Sequence, residues 1–401
     1  MDRRIMIPPV MTVLLLLNSL VYYGFRAGMI LYCIDVLQLP DTSVFGLYNQ
    51  FTLLVVILPL FGGIIADLLV SRRIMLVTSS VLSIIGFLLL SGGNEVNLPW
   101  YMGIIALGTC VTKVMLLAGI SDSFPSRNHI TEGWTMMTYM AVNIGAAISV
   151  VLFPYIASEY TYETSFTLAA LIGIPIALGS IATVFLYSRP LAPLVNYTEF
   201  LALKEDVKVE KGIAFTGIVL GFNMLYWATY SAIFQEFSMV IEEPIQSVFS
   251  SITPIATITA VAVLGILHFT KMLEKVQFLL IGIGMTLMSV AYVICLTFSS
   301  TLGYILCQVF LIISEPLCHV MLLGLILRVA PRKFLGIALG FYMFSFINFY
   351  DYINILDFLS SISALILFGL GICSLIFYKK LWNWLFTLNR NELSSDSHQE
   401  G

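Results

Sequence analysis

Between Arg189 and Gly212 the chain reads RPLAPLVNYTEFLALKEDVKVEKG, with Lys204, Glu205, Asp206, Lys208, Glu210 and Lys211 crowded together in a sequence that is otherwise only 10% charged. Apolar runs lie on both sides of this segment. About 20 such residues span a bilayer as a helix. Runs of that length fall near 6–34, 44–66, 74–91, 99–121, 134–156 and 164–188 before it. After it they fall near 213–235, 245–269, 276–298, 302–327, 334–350 and 358–378, the eleventh being the shortest. The expected domains are therefore a bundle over 1–190, a linker over 191–212, a second bundle over 213–384 and a polar, disordered tail over 385–401.

Composition agrees with this class. The chain is 59% hydrophobic with a mean hydropathy of +0.97, which a soluble protein of 401 residues could hide only by exposing large apolar patches. Lys and Arg accumulate in cytoplasmic loops of membrane proteins. With the N-terminus placed inside, Arg3, Arg4, Arg72, Arg73, Lys271, Lys275, Arg332, Lys379 and Lys380 all face inward, as do the remaining basic residues apart from Arg26 and Lys113. The outward loops carry acids such as Asp35, Glu95, Glu159, Glu163, Glu242 and Asp351. Both termini are expected to be cytoplasmic, and the membrane is the inner one if the source is bacterial. The N-terminal run is too long for a signal peptide and lacks a small-residue cleavage site, so it reads as the first helix.

Several functions are excluded or left without support. No Walker loop, dinucleotide fingerprint, metal-ligand spacing or nucleophile elbow is present, so neither an enzyme nor a cofactor is expected. The six cysteines fall inside apolar runs rather than outward loops, which argues against a disulfide framework. The basic residues follow membrane topology, so no nucleic-acid partner is expected, and the chain reads as a monomer in lipid.

Three charges break the pattern: Arg26, Lys113 and Glu315 lie deep inside apolar runs. An ionisable group at the bilayer centre costs about 2.5 to 3.5 kcal/mol on insertion scales, and such groups mark solute or proton pathways. Pro316 follows Glu315 and lacks a backbone N–H, so the helix should break where the carboxylate projects. Lys113 and Glu315 occupy the fourth and tenth helices, equivalent places in two halves, and are expected across one midplane cavity with Asn143 and Trp227. The plainer alternative is that the two charges pair and hold the halves together. His319, four residues after Glu315, should lie one turn along the same face and could relay a proton with it.

The remaining motifs carry a family resemblance. Gly62-Gly63-Ile64-Ile65-Ala66-Asp67, followed by Arg72-Arg73, resembles the GGxxADxxxGRR loop of the proton-dependent oligopeptide transporters, with Ser71 at the last glycine. Tyr22-Tyr23-Gly24-Phe25-Arg26-Ala27 resembles YYGxRA, and Gly108 to Lys113 resembles the start of GTGxxKP. Tyr139 to Gly145 resembles YxxINxG, Tyr226 to Tyr230 resembles FWAxY, and Glu315 precedes Ala330-Pro331 and Gly336 at the family's spacing. The resemblance implies an all-α major facilitator fold of twelve transmembrane helices in two six-helix bundles, with solute bound at midplane.

It also implies roles. Tyr22, Tyr23, Arg26, Lys113, Asn143, Tyr226, Trp227 and Glu315 would bind a peptide-like, zwitterionic or anionic solute. Asp67, Arg72 and Arg73 would form a cytoplasmic gate, and Glu315 with His319 and Lys113 would carry any proton coupling. The departures bear on coupling. Leu15, Asn18 and Ser19 stand where the family has ExxER, Ser231 replaces its helix-seven acid, and Val56 replaces a helix-two tyrosine. Proton coupling, if present, then falls to Glu315. A uniporter or exporter of another solute, such as a metallophore, amino-acid conjugate or drug-like compound, and a non-transporting receptor remain open.

Overall fold

Uninterrupted apolar runs satisfy their backbone polar groups internally only as helices when water is excluded, and the chain forms helices at every expected run. The computed structural model describes residues 6–92, 97–124, 127–186, 207–238, 243–298, 300–346 and 356–396. The linker up to residue 206, the loop acids Glu95, Glu242 and Asp351, and the basic residues Arg3, Arg4, Arg189 and Lys204 lie outside them.

The first six helices are α1 (Ile7–Asp35), α2 (Asp41–Leu68), α3 (Arg72–Gly92), α4 (Leu98–Asp122), α5 (His129–Glu159) and α6 (Tyr162–Leu186). After the linker come α7 (Val207–Ser238), α8 (Glu243–Phe269), α9 (Gln277–Thr297), α10a (Thr301–Glu315), α10b (Met321–Val329), α11 (Leu335–Phe344) and α12 (Leu356–Asp396). Local chemistry sets several starts. Prolines stand in the first turn of α1 and α4, where a missing N–H is tolerated. The Ser300 hydroxyl accepts the Gly303 N–H at 3.2 Å and caps α10a.

Among the described residues ten helices are long and apolar enough to cross a membrane, with α8 adding the shorter apolar stretch Thr253–Phe269. Exposed apolar side chains such as Val151, Leu178, Leu365 and Ile376 suit a surface facing lipid. The chain is a multi-pass integral membrane protein. The tail departs from expectation, because α12 continues to Asp396 rather than ending at 384. No glycine or proline occurs between Gly371 and Gly401 to stop it.

The chain forms two compact units. Unit 1 comprises Met1–Pro125, Thr138–Ala202 and Arg332–Phe344; unit 2 comprises Ser126–Met137, Leu203–Pro331 and Ser345–Gly401. They follow the two halves of the sequence except that α11 belongs to unit 1 and the first turns of α5 to unit 2. Within unit 1, α3 packs on α4 and α6, while α11 lies along α2. Phe25 anchors this core, with Phe51, Phe87 and Phe166 rings 5.2, 5.7 and 6.1 Å from its own. Within unit 2, α9 packs on α12 and α10a.

Candidate functional site

In unit 1 the polar residues of α1 gather beside α2 and α4. Arg26 is half-buried, and its Nε donates to the Tyr48 hydroxyl at 2.7 Å, which fixes the plane of the guanidinium. Tyr22 and Tyr23 meet edge to face at 4.9 Å. Lys113 is half-buried on α4 and makes no hydrogen bond or ion pair among the described residues. Both Lys113 and Tyr22 lie within electrostatic reach of Cys110, which places them in one neighbourhood. Asn143 is half-buried and donates to the Tyr139 carbonyl of its own helix at 3.0 Å.

The family's ExxER positions are filled by packing. Leu15, Asn18 and Ser19 are all buried, and the Asn18 amide donates to the Thr109 carbonyl of α4 at 3.0 Å. A neutral side chain satisfied by a backbone acceptor needs no counter-charge, which explains how α1 and α4 stay packed without the acids.

At the far end of α2, Asp67 is fully buried and doubly satisfied. Arg72 Nε donates to Asp67 Oδ1 at 2.7 Å, and the Ile337 N–H donates to Asp67 Oδ2 at 2.8 Å. Arg72 also donates to Asp122 Oδ2 at 2.7 Å and to the Arg332 carbonyl, while Arg332 donates to the Phe124 carbonyl at 2.8 Å. Thus α2, α3, α4 and the first turn of α11 are tied in one knot, with a carboxylate at a helix N-terminus where the dipole favours it. Gly63 makes the approach possible, since a Cβ there would overlap the Gly336 carbonyl. Arg73 sits half-buried next to the knot.

Unit 2 gathers the aromatic residues of α7 around the break in helix ten. The break expected at Pro316 is a π-helical turn, Pro316–Val320, between α10a and α10b, a feature that often marks functional sites. Glu315 is half-buried at the end of α10a, within electrostatic reach of Tyr226 and Tyr230. His319 is fully buried in a cage of Tyr226, Trp227 and Phe346. Trp227 Nε1 points at His319 Nδ1 at 3.1 Å, and the Asn223 side chain reaches the same nitrogen at 2.8 Å. Asn223 Nδ2 donates to Ser345 Oγ, which leaves its Oδ1 facing the ring nitrogen. Tyr226 is fully buried with its hydroxyl 3.1 Å from Ser314 Oγ.

The structure therefore joins Tyr22, Tyr23, Arg26 and Lys113 in unit 1, and Tyr226, Trp227, Glu315 and His319 in unit 2. Sequence reading passed over Tyr48, Asn223, Ser314 and Phe346. Two of these carried a signal: Tyr48 opens the polar triplet Tyr48-Asn49-Gln50 inside an apolar helix, and Asn223 lies four residues before Trp227 on one face of α7.

Residues 73–191 match the family model described as PTR2, POT family. Dipeptide and tripeptide permease A of Escherichia coli (strain K12) is 26% identical over 164 residues, covering 40% of this chain and 32% of that relative. The permease A of Salmonella typhi is 28% identical over 151 residues, covering 37% of this chain and 30% of that relative. The matched stretch is thus about a third of the length of these relatives. Structural likeness extends further. A peptide transporter POT in complex with sulfate superposes with a TM-score of 0.60 at 14% identity, covering 94% of this chain and 95% of that one. A POT family transporter in complex with 5-aminolevulinic acid gives 0.59 at 17% identity, covering 93% and 96%. With these likenesses and the motifs above, the chain has the fold of the POT peptide transporters and resembles the proton-dependent oligopeptide transporter family over residues 73–191.

Proposed function

We propose that this protein is a secondary transporter that carries a small peptide-like, zwitterionic or anionic solute by alternating access. The observation that carries the reading is Lys113, a half-buried cation inside a membrane helix with no ion pair or hydrogen bond among the described residues. A charge kept there without a protein partner is suited to a ligand's anion. Arg26, oriented by Tyr48, supplies a second cation in the same unit, and its planar fork matches a carboxylate or phosphonate. Glu315, beside the π-turn, is assigned to the solute's ammonium group and to any proton that accompanies transport. Tyr22, Tyr23 and Trp227 provide walls with polar edges. Tyr226 and His319, both fully buried, support Trp227 from behind, and Asn143 offers a further amide.

The sulfate and 5-aminolevulinic acid bound by the structural relatives are an anion and a small amino acid with a free carboxylate, chemistry that Arg26 and Lys113 suit. Asp67, Arg72 and Arg73 are assigned to the gate, on the face that carries the basic loops and is read as cytoplasmic along with both termini. The buried neutral residues at 15, 18 and 19 support coupling that does not use helix one. The test is binding and counterflow of di- and tripeptides and of 5-aminolevulinic acid by purified protein in proteoliposomes. Exchange above protein-free vesicles, weakened in Lys113→Gln, supports the reading; binding without exchange would make the protein a receptor.

A further inference from the structure

Unit 2 also holds a cluster of buried ionisable side chains that does not include Glu315. Glu132 in the first turn of α5, His268 in the last turn of α8, Arg328 in α10b and Gln277 at the start of α9 are all buried. Arg328 Nη1 donates to Glu132 Oε1 at 2.8 Å, and Nη2 lies 3.4 Å from Glu274 Oε1. The other oxygen, Glu132 Oε2, faces His268 Nε2 at 3.9 Å. Neither of these two atoms has a hydrogen-bond partner among the described residues.

The other ring nitrogen decides the tautomer. His268 Nδ1 lies 2.9 Å from the Leu264 carbonyl, and a carbonyl oxygen only accepts, so Nδ1 carries hydrogen. In a neutral ring Nε2 is then a bare lone pair turned toward a carboxylate oxygen, two buried acceptors with no donor between them. One proton removes the conflict, whether the imidazole or the carboxyl carries it. Charge points the same way. Arg328 neutralises only one of Glu132 and Glu274. The other titratable groups acting in this region are His129, beside the cluster, and Lys271, which is solvent-exposed. Gly324 adds no side chain here, leaving space beside Glu132 and the Gln277 amide.

We propose that Glu132 and His268 together form a proton-binding site, holding one proton while the start of α5 is packed on α8 and α10b and releasing it when they part. Glu132 comes from the first half of the sequence and its partners from the second, so the bound proton strengthens a contact between segments distant in the chain. A group that binds a proton more tightly in the packed form stabilises that form at low pH and loses this effect as pH rises. If the contact opens during transport, the site exchanges a proton in each cycle; that clause rests on the transporter reading, while the site itself does not.

Nitrogen NMR of the full-length protein in nanodiscs, labelled at histidine and assigned with His268→Gln, reads the site directly. The expected spectrum in the acid range has Nδ1 protonated and Nε2 protonated or hydrogen-bonded to a donor, changing to a bare Nε2 as the pH is raised into the alkaline range. In parallel, the unfolding midpoint of the unaltered protein should fall over that range. Glu132→Gln and His268→Gln each place a fixed amide donor between the two side chains, and the fall should be lost in both. Glu315→Gln should retain it, which separates this site from proton coupling at Glu315. A bare Nε2 throughout the range, or a slope that persists in either glutamine variant, overturns the proposal; failure to detect transport does not affect it.

Discussion

Asp67 Oδ2 accepts the Ile337 backbone N–H at 2.8 Å, so a carboxylate on α2 caps a helix that begins 268 positions later. The same carboxylate takes Arg72 on its other oxygen. A side chain with both oxygens engaged and no water access is sensitive to any loss of charge, because its partner stays buried.

Asp67→Asn retains an acceptor for the Ile337 N–H but removes the charge that faces Arg72. Asp122 still pairs with Arg72, so we expect a loss of about 1 to 3 kcal/mol in stability. Solute binding should persist while turnover slows, if this knot closes the gate. Thermal unfolding and counterflow on one preparation check both parts; unchanged turnover would remove the gating role.

Gly63→Leu tests the close approach of α2 and α11. A Cβ at this position would overlap the Gly336 carbonyl, a backbone atom that cannot rotate aside. The helices must separate, at a cost of about 1 to 3 kcal/mol or more for overpacking. Cysteine cross-linking between α2 and α11 should fall accordingly, and undiminished cross-linking would contradict the packing described here.

Arg26→Lys keeps a cation but loses the Nε donor that the Tyr48 hydroxyl accepts at 2.7 Å. Tyr48→Phe removes the same bond from the other side. Both should weaken binding of an anionic solute by about tenfold, the effect of one charged hydrogen bond, and the double variant should add little because the two act on one interaction. Additive losses in a double-mutant cycle would show that Tyr48 contacts the solute independently.

Glu315→Gln addresses coupling. Leu15, Asn18 and Ser19 have no group that titrates in the physiological range, and Ser231 stands at the family's helix-seven acid position. Accumulation driven by an imposed pH gradient should therefore be lost in Glu315→Gln, while exchange without a gradient continues. His319→Ala should reduce both, since its ring supports Trp227. Full gradient-driven accumulation in Glu315→Gln would exclude this residue as the coupling site.

The helices were legible because hydrocarbon imposes a length on each apolar run, and the interruption at Pro316 because proline lacks the donor that a regular helix needs. The charges at 26, 113 and 315 stood out for the same reason. Partners brought from distant segments were not legible. Nothing local to Tyr48 says that Arg26 will meet it 22 residues away on a neighbouring helix, and nothing in α11 announces that it packs along α2. The pair Glu132 and His268 stayed hidden because each sits near a polar helix end, where a lone Glu or His is ordinary. The extent of α12 was not legible because polarity alone does not end a helix, and the segment contains no glycine or proline that would.

The most direct measurement is counterflow of a labelled dipeptide into proteoliposomes loaded with unlabelled peptide, comparing the unaltered protein with Lys113→Gln. We expect accumulation above protein-free vesicles in the first, and a solute affinity about 10- to 100-fold weaker in the second, the loss of one charge-assisted contact. Accumulation with unchanged affinity in Lys113→Gln, or no counterflow of any dipeptide, tripeptide or 5-aminolevulinic acid by a folded preparation, would contradict the account.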